Sequence, residues 1–472
     1  MSTKTQLAVI GGGPGGYAAA FLAADLGMQV TLIDMEKNPG GVCLYRGCIP
    51  SKALLHVAKL INEAEEAKKW GVDFGEPKID VAKLRDFKDG VVNKLTGGLG
   101  QLAKQRKVNF INGRATFVNS NTLSVAKADG TTEEVVYEKA ILATGSVPTK
   151  IPGLSIDSPR VMDSTSALEL NDVPKRLLVI GGGYIGLELS TVYASLGSEV
   201  TVVEMLPGLL PGADRDMVAV LERRVKSLMK NVFTETKVVD LKDNGDSVTV
   251  KLEGAKVTEP EQTFDKVLIS IGRRPVTAGF GLENTKVKVN ERGFVITDKT
   301  MKTDDTSIYA IGDIVGNPTL AHKAAAEGKV AVEAILGHKV SFEPNAIPAV
   351  VFTDPELAWA GITENEAREK GIKVEVAKFP WGASGRATTL DRNDGMTKLI
   401  VEPETERILG VAIVGVGAGD MIAEGTLAIE MGAVVKDLEL TIHPHPTLSE
   451  TMMFAAELYY GHATDMYRPK RK

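Results

Sequence analysis

Cys43 and Cys48 are the only cysteines in the 472-residue chain, and they share the segment Gly40-Gly-Val-Cys-Leu-Tyr-Arg-Gly-Cys-Ile-Pro-Ser-Lys52. A chain that keeps no other thiol and holds two this close is built to use them as a redox couple. Buried thiols also serve as small core hydrophobes, but the backbone-permissive Gly40, Gly41 and Gly47 around this pair argue against that role. Pro50 suits the first turn of a helix, and the run from Ser51 to Ala67 is rich in helix formers. Cys48 then falls near a helix N-terminus, where unpaired N–H groups and the helix dipole favour a thiolate. Lys52, one turn further on, adds a positive charge to the same face. The spacing fits neither a zinc ribbon nor Cys-x-x-Cys, and no second cysteine pair completes a metal site, so no metal is expected.

His445 and Glu450 form the second chemical constellation. In thiol–disulfide exchange the thiolate is the nucleophile, so an incoming thiol needs a group to take its proton. An imidazole oriented by a carboxylate suits that task. Thr447-Leu-Ser-Glu450 is equally a capping-box pattern, which leaves Glu450 open between helix cap and orienting group. Pro444 and Pro446 fix the backbone direction on both sides of His445.

The elements that must carry these groups are legible upstream. Leu7–Ile10 reads as an apolar strand running into Gly11-x-Gly13-x-x-Gly16, followed by a helical stretch from Tyr17 to Leu26 and a strand, Gln29–Asp34, that ends in an acid. The design recurs 170 residues later: Leu177–Ile180 leads into Gly181, Gly183 and Gly186, and Glu204 takes the place of Asp34. Such glycines let backbone approach a pyrophosphate at a helix N-terminus, while Asp34 and Glu204 can accept a ribose hydroxyl. No Arg or Lys lies between Met205 and Asp214, so Glu204 would repel a 2′-phosphate and the second site is expected to take NAD over NADP. Short β segments with turns at Asp129-Gly130 and Asn244-Gly245 follow in each copy and close on the related strands Lys139–Gly145 and Lys266–Gly272. A further strand, Thr306–Gly312, ends again in glycine plus acid; Asp313 could bind a cofactor hydroxyl or cap the next helix.

From about Ile347 the glycine design is absent. Strand-like runs at Met396–Val401 and Ile408–Val414 and a helical stretch from Met421 to Met431 point to a separate α+β domain. The expected fold class is therefore α/β, with two Rossmann-like dinucleotide-binding domains and a C-terminal α+β domain. Length alone suggests roughly three domains. The net charge of −6 offers nothing to a nucleic acid, and the basic tail Arg468–Lys472 reads as a solvated end. Leu7–Ala24 carries no charge, yet its glycines and proline make a poor signal peptide or membrane span. With no targeting segment expected and no disulfide framework, a reducing compartment follows, most simply a bacterial cytoplasm.

Together the two glycine fingerprints, the Cys43/Cys48 segment, Ala143-Thr-Gly145, Gly312-Asp313 and His445-Pro-x3-Glu450 resemble the pyridine nucleotide–disulfide oxidoreductases over essentially the whole chain. The resemblance implies FAD at the first site, held by Gly11, Gly13, Gly16, Asp34, Lys52, Gly113, Ala143, Thr144, Gly145, Gly312, Asp313 and Ala321. It implies NAD at the second, held by Gly181, Gly183, Gly186, Glu204 and Gly272. Cys43 and Cys48 would form a disulfide beside the flavin, Cys43 meeting the substrate and Cys48 the flavin, with Lys52 paired to Glu188. His445, oriented by Glu450, would be the acid/base and would reach the cysteines from the other subunit of a homodimer.

The implied domains are 1–147 and 273–345 for FAD, 148–272 for NAD and 346–472 for the dimer interface. Within the family the chain is most similar to members that oxidise protein-bound dihydrolipoyl groups with NAD+. The implied partners are the lipoyl domains and core subunits of 2-oxo acid dehydrogenase complexes and the lipoylated carrier of the glycine cleavage system. Glutathione reductase is the alternative, disfavoured by Glu204. A mercuric reductase would need a further thiol pair, and a vestigial binding protein would not keep every motif intact. Asp34 stands where relatives commonly carry Glu, and His322, near the implied flavin, reads as a packing residue.

Overall fold

The structure, a computed structural model, describes residues 2–127 and 129–467; the basic tail Arg468–Lys472 lies outside the described residues. β1 (Ser2–Ile10) leads through the first glycine turn into α1 (Pro14–Asp25), which returns to β2 (Val30–Asp34). Leu7–Ile10 is buried on both faces, as a central strand of a parallel sheet must be. There follow α2 (Gly41–Arg46), α3 (Cys48–Glu66) and α4 (Val81–Gln105), then β3 (Asn109–Asn119), β4 (Thr122–Lys127) and β5 (Thr132–Leu142). β3 starts parallel to β2 and from Gly113 turns antiparallel to β4. β5 closes that meander and also runs parallel to β1. The apolar pattern starts β1 at Leu7; it begins instead at Ser2, because β5 offers backbone partners from the pair Ser2–Glu134 onward.

β6 (Ser146–Pro148) leaves this sheet for the second copy: β7 (Val161–Met162), α5 (Ser164–Glu169), β8 (Arg176–Ile180), α6 (Tyr184–Ser195), β9 (Glu199–Val203), α7 (Arg215–Leu228) and β10 (Asn231–Phe233). The antiparallel meander β11 (Lys237–Asp243), β12 (Val248–Glu253) and β13 (Glu261–Phe264) repeats the first, and β14 (Lys266–Ile269) returns parallel to β8. The second sheet thus has the order β10-β9-β8-β14-β7. β15 (Arg273–Pro275) then pairs antiparallel with β6, so the outgoing and returning chain lie side by side between the two sheets.

β16 (Ile308–Ala310) rejoins the first sheet beside β5, and α8 (Ala321–Ile335) lies across α1. The helices approach so closely that a Cβ on Gly328 would stand 2.7 Å from the Gly15 carbonyl. The last part holds β17 (Ala349–Val351), β18 (Glu356–Gly361), α9 (Glu364–Glu369), β19 (Glu375–Pro380), α10 (Gly385–Thr389), β20 (Met396–Val401) and β21 (Ile408–Gly415). These strands form one antiparallel sheet, β17-β18-β21-β20-β19. Residues of α11 (Ala418–Glu430), α12 (Val435–Leu440) and α13 (Glu450–Tyr460) share a core with it that includes Phe379, Leu399 and Ile413. Leu357, Ala412 and Val414 instead join the core of the second sheet. Lys398, wholly buried on β20, reaches Asp214 at 3.0 Å, Asp216 at 2.6 Å and Glu364 at 2.5 Å, which ties the start of α7 to this last domain. Among the described residues no helix is long and apolar enough to cross a membrane.

Candidate active site

A cleft of about 390 Å³ opens at the carboxyl ends of the parallel strands of the first sheet, where such folds place their ligands. Cys43, Cys48, Lys52 and Glu188 line it, together with Gly11, Gly13, Asp34, Gly113, Ala143, Thr144, Gly145, Gly312, Asp313 and Ala321. Gly16 alone of the residues assigned to the first nucleotide does not, and its role is internal: a Cβ there would run into the Gly11 carbonyl. At Gly13 the nearest atom to a Cβ is 3.9 Å away, and at Gly183 nothing lies within 4 Å. The chain's own packing therefore requires Gly16 and Gly186 but leaves the middle glycines facing open space, as a pyrophosphate seat needs. That open seat, at the start of a 12-residue helix in each copy, fits a dinucleotide.

The two acids are held alike. Asp34 accepts the Gly12 N–H at 2.5 Å and the Glu36 N–H at 2.8 Å; Glu204 accepts the Gly182 N–H at 2.7 Å and the Leu206 N–H at 2.8 Å. Burial pushes the Asp34 carboxyl up, against the lowering effect of the Gly12 N–H and of Arg46. The first cation after Glu204 is Arg215, and its guanidinium is engaged by the carbonyls of Leu209 at 2.7 Å and Ala213 at 2.8 Å. Gly181, Gly183, Glu204 and Gly272 lie on the second sheet's turns and Gly186 on α6, and none of the five lines the cysteine cleft.

The cysteines sit on consecutive helices. Cys43 is on α2 and Cys48 is the first residue of α3, with only Gly47 between the helices. Gly47 is needed because a Cβ there would stand 2.9 Å from the Val42 carbonyl. Both thiols are free, which is the reduced state of the couple, and they differ sharply. The Cys43 thiol donates to Cys48, and this hydrogen bond, helped by the Lys52 ammonium and opposed by burial, lowers Cys48 to about 7. The same bond, with burial, pushes Cys43 far up. The pair is poised as Cys43–SH donating to a Cys48 thiolate.

Lys52 is fixed by Glu188 on α6, Nζ to Oε2 at 2.8 Å, and its ammonium stands 4.3 Å from the centre of the Phe352 ring. Glu188 is buried and accepts the Phe352 N–H at 3.0 Å with its other oxygen, so the first domain, the second and the last meet at this carboxylate. Asp313 does not cap α8: its Oδ2 accepts from the Ser146 hydroxyl. Arg273 in turn donates to the Ser146 Oγ at 2.8 Å and to its carbonyl at 2.6 Å. Ser146, Arg273 and Tyr184 line the cleft and were not singled out by the sequence patterns, although each adjoins a residue that was. Beneath them, buried Glu327 accepts the Gly312 N–H at 2.7 Å and pairs with buried Lys323 at 2.6 Å. His322 bonds the Pro348 carbonyl at 2.8 Å.

His445 and Glu450 meet each other but not the cysteines of the same chain. Glu450 orients His445 and closes no capping box: Oε1 stands 2.9 Å from His445 Nδ1 and Oε2 accepts the Thr447 N–H at 2.7 Å, while α13 starts at Glu450 with Ser449 as its N-cap and no side-chain cap bond. A carboxylate on Nδ1 leaves Nε2 as the free basic nitrogen. The His445 side chain is 78% exposed and outside the cleft.

Comparison with known proteins bears on this arrangement. Residues 5–328 match the family described as pyridine nucleotide-disulphide oxidoreductase, and residues 347–456 match its dimerisation domain. The chain is 50% identical over 469 residues to the dihydrolipoyl dehydrogenase of Vibrio cholerae, covering 99% of this chain and 98% of that one. It is 45% identical over 458 residues to the dihydrolipoyl dehydrogenase of Geobacillus stearothermophilus, covering 97% of each. Among solved structures it is similar to LpdA from Mycobacterium tuberculosis, with a TM-score of 0.89 and 27% identity over 96% of this chain and 99% of that one. The flavoprotein disulfide reductase RclA from Escherichia coli gives 0.85 and 30% over 97% and 99%.

Proposed function

Because this chain belongs to the pyridine nucleotide–disulphide oxidoreductase family, we propose that it catalyses the reaction of its dihydrolipoyl dehydrogenase relatives, oxidising protein-bound dihydrolipoyl groups and reducing NAD+. FAD fits the cleft through the open seat at Gly13, with Asp34 toward its ribose and Asp313 toward its ribityl chain; NAD takes the equivalent seat at Gly183 and Glu204. When bound, the flavin supplies the two-electron relay between the dithiol and NAD+.

The chain's own residues do the rest. In the oxidised couple, a dihydrolipoyl thiolate attacks Cys43 Sγ, the Cys43–Cys48 bond breaks and Cys48 leaves as a thiolate. Lys52, held by Glu188, stabilises the negative charge that Cys48 takes on as it leaves. His445 of the partner subunit takes the proton of the attacking thiol through Nε2, with Glu450 holding the ring in the right tautomer. The second substrate thiol then attacks the sulfur bonded to Cys43, closing the lipoyl disulfide, and Cys43 receives the proton. The product is the reduced pair, Cys43–SH with a Cys48 thiolate. That the two cysteines line one cleft with the Lys52–Glu188 pair is the observation that carries the reading.

The dimer reading is supported by the face that carries His445. Ile442 is 94% exposed, Met431 76%, Leu440 68% and Leu427 63%, an apolar surface that a second copy would cover. The division at 147 and 272 is supported by the β6–β15 pair, where the chain crosses between sheets, and that at 345 by the dimerisation-domain match from residue 347. Lipoyl domains and core subunits of 2-oxo acid dehydrogenase complexes, and the lipoylated carrier of the glycine cleavage system, are the partners of this reading, in the cytoplasm. Cys43→Ser tests it. Dihydrolipoamide oxidation should vanish while NADH-driven reduction of an artificial acceptor by the flavin survives. Full lipoamide turnover in this variant would end the reading.

A further inference from the structure

The loop that presents His445, from Thr441 to Ser449, contains no helix or strand. A base that must meet a thiol within hydrogen-bond reach cannot ride on a loose loop, since misplacement of about 1 Å can cost a hundredfold in rate. The loop carries a second histidine with the opposite surroundings. The His443 side chain is 5% exposed where that of His445 is 78% exposed. Its Nδ1 stands 2.8 Å from the Thr441 carbonyl and its Nε2 2.8 Å from Glu424 Oε1. A carbonyl only accepts, so Nδ1–H donates to Thr441, and a second proton lies on the line between Nε2 and Glu424. His445, by contrast, has one nitrogen engaged and one free.

Glu424 belongs to α11, which is itself firmly seated: the next residue is Gly425, where a Cβ would stand 2.8 Å from Val411 Cγ1 on β21. The loop's threonine hydroxyls make only local bonds. Thr441 Oγ1 bonds the Asp437 carbonyl at 2.7 Å and Thr447 Oγ1 the Pro444 carbonyl at 2.7 Å. The bond from His443 to Glu424 crosses to a different packed element.

We propose that His443 is a positioning residue for the reaction: its charge-assisted tie to Glu424 anchors the loop that delivers His445. It touches neither substrate nor flavin and acts through the place it gives His445, so the proposal rests on His445 being the acid/base.

The test uses the flavin-loaded full chain with His443→Asn, His443→Gln, Glu424→Ala, the Asn/Ala double variant and His445→Gln. The Asn amide nitrogen can replace Nδ1 and keep the Thr441 bond, but it cannot reach Glu424. The Gln amide nitrogen can replace Nε2 and keep the Glu424 bond. His443→Asn and Glu424→Ala should each lower kcat for dihydrolipoamide about tenfold, and the double variant should be no worse than the worse single, as coupled partners require. His443→Gln should stay within about threefold of the parent. FAD content, KM for NAD+ and NADH-driven reduction of an artificial acceptor should not change. Parent-like kcat in His443→Asn, additive losses, equal losses in the Asn and Gln variants, or an equal fall in both activities would each overturn the proposal. Parent-like turnover in His445→Gln would instead remove the acid/base reading, a separate failure.

Discussion

The sharpest consequence of the geometry concerns which atom makes Cys48 acidic. Its ordinary pKa of 9.0 is lowered to about 7 in the reduced chain, and the largest cause is the hydrogen bond from the Cys43 thiol, ahead of Lys52. Two units correspond to roughly 3 kcal/mol in favour of the thiolate. Cys43→Ala removes the donor and leaves burial as the largest remaining influence, which acts in the opposite direction. The Cys48 midpoint should then return to about 9 or above, so that at pH 8 the thiolate fraction falls from about nine-tenths to about one-tenth. Cys43→Ser keeps a hydroxyl donor and should hold the midpoint nearer to 7. The assay is the ultraviolet thiolate absorbance of the reduced protein followed against pH, with the alkylation rate of the single remaining cysteine as a second readout. The sign is fixed: a depressed pKa means the thiolate persists on lowering the pH until about 7, and the Ala variant loses it earlier. A Cys43→Ala midpoint within about half a unit of the parent would show that Lys52 and the helix N-terminus set the acidity, and would refute the hydrogen-bond account.

Two further outcomes follow from the second nucleotide seat. Gly183→Ala and Gly186→Ala should fail differently, since Gly183 has φ −78 and open space around it while a Cβ on Gly186 would stand 2.7 Å from Ser270 Oγ and collide with the Gly181 carbonyl. Gly183→Ala should keep its melting temperature and raise KM for NAD+, whereas Gly186→Ala should destabilise by about 1–3 kcal/mol in thermal or denaturant unfolding; the reverse pattern would refute the division between ligand-facing and packing glycines. Comparative kinetics should favour NAD+ over NADP+ by at least tenfold or so, because Glu204, as the proposed acceptor of a ribose hydroxyl, would repel a 2′-phosphate and Arg215 is occupied by backbone carbonyls. Equal use of the two would refute the assignment of Glu204.

The repeat made the fold legible. Each copy announces its own strand, glycine turn, helix and acid within about 30 residues, the span over which hydrophobic period and turn chemistry act. The acids Asp34 and Glu204 were found because they end a strand at a fixed distance from the glycines. What the pattern could not show is that both also accept the N–H of the second residue of the turn, a contact that makes the acid part of the turn's own structure. Boundaries moved where a distant strand supplied partners, as β5 does for Ser2–Thr5.

The less legible part of the site consists of contacts between residues far apart in the chain. Ser146 and Asp313 are 167 residues apart, and neither a period nor a motif links them; the parallel pairing of β16 with β5 brings the carboxylate to the hydroxyl. Glu327 and Lys323, four residues apart on α8, drew no attention in the sequence, yet both are buried and the pair holds Gly312 in place. His443 and His445 show the same limit most plainly. Two histidines flanked by the same proline differ in nothing that a sequence pattern records, and the motif drew attention to the one with Glu450 five residues on. Nineteen residues back along the chain, Glu424 gives the other a role of its own, because a buried imidazole between two acceptors has to be held by them. Roles set by partners on another element therefore appear only with the fold, and they are concentrated around the groups whose identity the sequence discloses first.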